Sequence, residues 1–225
     1  MKNTGKKIGI LPRYTLGEEL VNAITHGVGA CLAVAALVLC VVQAATNGDA
    51  WGVVSSCIYG ASLIILYTMS TLYHALTNEK ARKVFRVFDH TSIFLLIAGS
   101  YTPIVLTTLR GPLGWTIFGI VWTAAVVGIV LTAVSVDKFR VFSMICYVGM
   151  GWAVLIGIRE VFLRMPRPGF LLLLLGGVCY TFGIIFYRLK THKYMHGVWH
   201  VFVLAGSILQ FFCIYLYVLP TKLLA

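Results

Sequence analysis

The stretch AITHGVGACLAVAALVLCVVQAA, Ala23–Ala45, holds no Asp, Glu, Lys or Arg and is as long as one bilayer crossing. The hydrocarbon core of a bilayer is about 30 Å thick and takes about 20 residues of helix to cross. Main-chain N–H and C=O groups find no water there, so a run of this length and apolarity must be helical. Six more blocks of the same kind follow outward along the chain: about Gly52–Ala75, Thr91–Leu109, Leu113–Val136, Phe142–Val161, Phe170–Leu189 and Gly197–Leu219. Their connections are short. Across the 225 residues, 60% are hydrophobic and only 11% charged, and the mean hydropathy is +0.92. A soluble domain needs more charge to cover its wet surface. The expectation is an all-α membrane protein, a single seven-helix transmembrane domain over residues 1–225 with a short polar segment, 1–20, at its start.

The net charge of +11 is distributed as topology, not as a nucleic-acid footprint. With a cytoplasmic N-terminus and loops assigned alternately, the inside segments hold Lys2, Lys6, Lys7, Arg13, Lys80, Arg82, Lys83, Arg86, Lys138, Arg140, Arg188, Lys190 and Lys193. The outside segments hold Arg110, Arg159, Arg164, Arg167 and Lys222, so the split is 13 against 5. That is a positive-inside asymmetry, and it predicts a C-terminus outside. Anionic lipid headgroups are the natural neighbours of this charge, so the expected partners are membrane lipids, with no nucleic acid. Val42-Gln43-Ala44 resembles a signal-peptidase site. Glu18 and Glu19 in the preceding basic segment and a span-length apolar run argue instead for a retained first helix. The six cysteines all fall in apolar blocks with no C-x-x-C pair, and they read as small packing residues.

Ionisable residues at membrane depth are costly, which makes them informative. His74 ends the second span, Asp89 opens the third, and His196 and His200 begin the seventh. In the alternating topology all of these, with Ser70, arrive at the cytoplasmic level. His196 and His200 are four apart, on one helix face with Cβ atoms about 6 Å apart, a spacing suited to one metal ion. His74 supplies a third nitrogen. Three protein ligands with an open fourth position for water is the arrangement of catalytic zinc, and zinc lowers the pKa of such a water towards about 7. Asp89 then reads as proton acceptor for the water. Ser70, one turn before His74, orients the water, donates to a substrate carbonyl or supports a ligand.

Blander readings stand beside these. A lone histidine at a helix end is usually an interfacial hydrogen-bonding group. His192 continues the stripe of His196 and His200, but Lys190 and Lys193 beside it indicate a wet loop. His90 is expected to face away from Asp89. His26, with Asn22 on the same face, stands as ligand support or substrate contact. Glu160 belongs to the opposite face, and Asp49 to a loop. Trp51, Trp115, Tyr187, Tyr215 and Tyr217 read as interfacial anchors. Gly27-Val28-Gly29 and Gly149-Met150-Gly151 read as sites of close helix packing. Pro103 frees a carbonyl inside the third span and is expected to kink it.

At Glu18-Glu19, Asn22, Thr25-His26-Gly27, Ser70-Thr71-Leu72-Tyr73-His74, Asp89-His90, Ala98-Gly99-Ser100-Tyr101-Thr102-Pro103 and His196-Gly197-Val198-Trp199-His200, the chain resembles the progestin and adipoQ receptor family, in its bacterial hemolysin III group. The resemblance covers nearly the whole chain. It implies seven helices with a cytoplasmic N-terminus, a bacterial cytoplasmic membrane, and zinc held by His74, His196 and His200 with Asp89 and Ser70 nearby. It also links the fold to ceramidase-like lipid hydrolysis and membrane lipid homeostasis. The leading expectation is a zinc-dependent hydrolase of a lipid amide or ester. The alternative is a hemolysin III-type pore, channel or lipid sensor with a structural zinc.

Overall fold

A computed structural model describes residues 14–189 and 192–224. Lys2, Lys6, Lys7, Arg13 and Lys190, counted above for orientation, lie outside the described residues. The helices are α1 (Leu16–Asn47), α2 (Ala50–Ala75), α3 (Glu79–Pro103), α4 (Pro112–Val134), α5 (Arg140–Gly151), α6 (Ile158–Arg164), α7 (Arg167–Arg188), α8 (Met195–Tyr217) and the short α9 (Thr221–Leu224). A π-turn, Ile104–Thr108, prolongs α3, and a 3-10 segment, Ala153–Gly157, joins α5 to α6. With those joints the described residues form seven helical segments long and apolar enough to cross a membrane. The protein is a multi-pass membrane protein.

Two helices start well before their apolar blocks. Thr15 and Glu18 form a capping box that begins α1 at Leu16, with Glu18 Oε2 accepting from Thr15 N–H at 2.9 Å. Asn78 Oδ1 accepts from the N–H groups of Lys80 and Ala81 at 3.0 and 3.1 Å and begins α3 at Glu79. Asp89 therefore lies about three turns inside α3 instead of opening it. The polar first turns of α3 project past the apolar block, which is why composition alone starts the span at Thr91.

Pro103 lacks the N–H that Gly99 would otherwise receive, and the chain passes directly into the π-turn. There Leu109 N–H reaches back five residues to Ile104 O at 2.9 Å. The fifth span is broken rather than continuous. The Tyr101 hydroxyl donates to Gly151 O at 2.8 Å and accepts from Val154 N–H at 2.8 Å, so one phenol satisfies both sides of the break.

Chain neighbours pack in sequence from α1 to α4, and α7 packs on α8, which returns to α1. Of the seven spans α3 is the most enclosed. One apolar core gathers Phe94, Ile117, Val121 and Val161 between α3, α4 and α6, and a second gathers Tyr59, Leu63, Tyr67 and Ile214 between α2 and α8. Between the cores runs a long cavity whose wall takes residues from all seven spans.

Candidate metal centre

The direction of each helix decides what meets at one end of this cavity. Helix α2 ends there, α8 begins there and α3 passes through that level about three turns in, so His74, Asp89, His196 and His200 converge from three elements. One nitrogen from each of His74, His196 and His200 lies within 4.8 Å of the other two. All three side chains are buried, and the His74 ring sits 5.2 Å from that of His196 and 5.1 Å from that of His200. No cysteine belongs to the group.

Helix α1 contributes no nitrogen to this group but orients two of its rings. His74 Nδ1–H donates to Glu19 Oε2 at 2.6 Å, and the other carboxylate oxygen of Glu19 is held by the Arg82 guanidinium. With the proton on Nδ1, the His74 Nε2 lone pair is free, and that atom is buried with no hydrogen-bond partner. His200 Nδ1–H donates to the main-chain oxygen of Asn22 at 3.2 Å, which likewise frees Nε2. A carboxylate or carbonyl behind each imidazole is how proteins fix the tautomer of a metal-ligating histidine. The donor set of three imidazoles with an orphaned Nε2 fits a zinc ion.

The other residues singled out from the sequence fall into place around this group. Ser70 is buried and shares the cavity wall with Asp89. His26 is buried, and its ring stacks on that of His200 with centroids 3.6 Å apart. It also lines the cavity. His192 is exposed in the turn before α8 and is not part of the group. Glu160 pairs with Arg164, and Asp49 with Arg110, away from it.

Three expectations need correcting. His90 does not face away: its Nδ1 lies 3.4 Å from Asp89 Oδ2, and the ring lines the cavity. Because Nδ1–H also donates to Arg86 O, one turn back at 2.9 Å, the ring is folded along its own helix towards the aspartate. Tyr187 is not an interfacial anchor: it lines the cavity, its ring 6.0 Å from that of His196. Gly149 and Gly151 are not close-packing sites, because a Cβ at either would meet nothing within 4 Å. Gly29 is one, since its Cβ would come within 2.5 Å of the Tyr67 ring.

Glu19 was not assigned a role from the sequence. The available signal was the spacing Glu19, Asn22, His26, which marks a polar stripe on one face of an otherwise apolar helix. Tyr14 was also missed. Its ring stacks on His196 with centroids 5.2 Å apart and lies 6.0 Å from that of His74. Burial pushes its phenol well above the ordinary value, so it stays protonated. Glu18 Oε1 accepts from Tyr194 N–H at 3.0 Å, tying the start of α8 to α1. Tyr194 adopts the left-handed conformation, φ 63, which costs a non-glycine residue about 1–2 kcal/mol. The hydrogen bond it donates to Glu18 helps hold it there.

A family model described as haemolysin-III related matches residues 14–211. Hemolysin-3 of Bacillus cereus is 46% identical over 204 residues, covering 91% of this chain and 93% of its own. A Hemolysin-3 homolog of Bacillus subtilis is 42% identical, covering 94% of this chain and all of its own. A more distant relative, the human monocyte to macrophage differentiation factor, is 27% identical over 215 residues and covers 92% of this chain and 88% of its own.

Proposed function

The chain belongs to the haemolysin-III-related family, and on that premise we propose that it is a zinc-dependent membrane hydrolase acting on a lipid amide or ester. The observation that carries this reading is the convergence of three histidine nitrogens at one end of a long intramembrane cavity that also holds Asp89 and Ser70. His74, His196 and His200 would hold the zinc, which when bound polarises a carbonyl and lowers the pKa of water. Asp89 accepts the proton of the attacking water and returns it to the leaving amine or alcohol. Ser70 donates a hydrogen bond to the substrate carbonyl. Glu19 and the Asn22 carbonyl keep two imidazoles in the tautomer a metal needs, while the apolar walls hold the chain and exclude bulk water.

The test is direct. Purified protein is expected to carry one zinc per chain and to release fatty acid from a lipid amide or ester. Asp89→Ala is expected to lower turnover by at least about 100-fold, the scale of a general base, with zinc retained. Zinc-free protein, or turnover unchanged in Asp89→Ala, overturns the reading.

The name Hemolysin-3 on two relatives favours a second reading, a pore or lipid sensor in which the metal staples α2 to α8. Leakage from vesicles that His196→Ala abolishes, without lipid turnover in the parent protein, would select it.

A further inference from the structure

The far part of the cavity carries a second polar site. Gln210 on α8 is buried and lines the cavity. Its Nε2 donates to Leu173 O at 3.0 Å, which settles which end of the amide is nitrogen. The other end, Oε1, is buried with no hydrogen-bond partner. An unmet acceptor within a membrane-spanning bundle is costly, because no lipid tail can donate to it.

A donor stands close by. Tyr180 and Ser207 lie on the same α7–α8 seam, their hydroxyls 2.8 Å apart, and the Tyr67 hydroxyl donates to Ser207 Oγ at 2.7 Å. Tyr67 also reaches Val203 O, at 3.4 Å, but Ser207 Oγ is the nearer of its two acceptors. With Ser207 donating to Tyr180, the remaining proton is that of Tyr180, a residue of the cavity wall. Room for both side chains is built in. A Cβ at Gly176 would come within 2.6 Å of Gln210 Nε2, and one at Gly206 within 2.8 Å of the Tyr180 ring.

An acceptor and a donor in the wall of one cavity, on the same helix seam, match a hydroxyl group, which offers one of each. Gln210 is ten residues beyond His200 on the same helix, about 15 Å along the axis. We propose that this pair reads a hydroxyl borne partway along an acyl chain, so that the ligand is a hydroxylated lipid anchored at two points. The inference rests on the hydrolase reading in one respect only: that reading puts the carbonyl end of the chain at the histidines.

The experiment measures binding to the purified full-length chain, by displacement of a fluorescent fatty acid. Competitors are fatty acids of one chain length, unsubstituted or with a hydroxyl at successive positions. Two modest hydrogen bonds predict a mid-chain hydroxyl binding about tenfold tighter than the unsubstituted acid, with the preference falling away on either side. Gln210→Leu is expected to flatten that profile while still binding the unsubstituted acid, and Tyr180→Phe to reduce the peak. A flat profile in the parent protein, as when a water alone fills the site, overturns the proposal. So does a peak surviving in both variants, or failure of every acid to bind. Binding needs no turnover, so a chain that prefers the mid-chain hydroxyl yet hydrolyses nothing overturns the hydrolase reading and leaves this one standing.

Discussion

Glu19 supports the histidine cluster without being part of it. Its carboxylate faces the His74 imidazole on one side and the Arg82 guanidinium on the other, so a charged chain from α3 through α1 sets the ring of α2. Replacing it with glutamine keeps the shape and removes the negative charge behind Nδ1. Glu19→Gln is expected to weaken zinc retention by about 10–100-fold, the usual effect of losing a partner behind a ligand, as read by competition with a chelator. Retention equal to the parent would show that Glu19 does not orient His74. Ser70, His74, Asp89, His196 and His200 were identifiable as residues because polar groups in apolar helices are few. The role of Glu19 was not, because it sits among charged residues at the helix start, where a carboxylate draws no attention.

At the scale of elements, small residues set how closely helices approach. A Cβ at Gly128 of α4 would come within 2.2 Å of the fully buried ring of Phe94 on α3, whereas one at Gly149 of α5 meets nothing. Gly128→Ala is expected to cost about 1–3 kcal/mol, the scale of overpacking, and Gly149→Ala to leave the melting temperature in detergent unchanged or slightly raised. Equal effects would show that the α3–α4 contact is looser than described.

A second element-level tie joins α3 to the turn between α4 and α5, where Arg86 holds Asp137 through 2.5 and 3.1 Å contacts. The hydrogen bond from Arg86 keeps the Asp137 carboxyl below its ordinary value. A lowered folded-state pKa means that this tie stabilises fully above the ordinary carboxylate range and is lost as pH falls through the depressed value. Since the Asp137 side chain is 52% exposed, solvent screens the pair and the effect is small. The difference in melting temperature between the parent and Asp137→Asn should therefore be present at neutral pH and close on acidification. A difference independent of pH would mean that the substitution acts through packing.

For the whole molecule, the excess of basic loops proposes that the histidine end faces the cytosol. A membrane-impermeant thiol reagent applied to intact cells should then label Arg110→Cys but reach Lys138→Cys only after permeabilisation, on a background without other reactive thiols. The reverse pattern would invert the bundle.

Seven crossings were legible from the chain because hydrocarbon imposes one solution on any apolar run of that length: a helix with its own hydrogen bonds satisfied. The depth of the four converging groups was legible for the same reason, since helix direction alternates with each crossing. What the tertiary structure decided is everything lateral. Periodicity gives the face of a helix but not the helix that covers it. The ring of His90 turned towards Asp89, the stacking of His26 on His200, and Tyr101 closing the broken fifth span all come from packing between helices. So does the unpartnered oxygen of Gln210 in the cavity wall, because only packing determines which polar groups go unmatched.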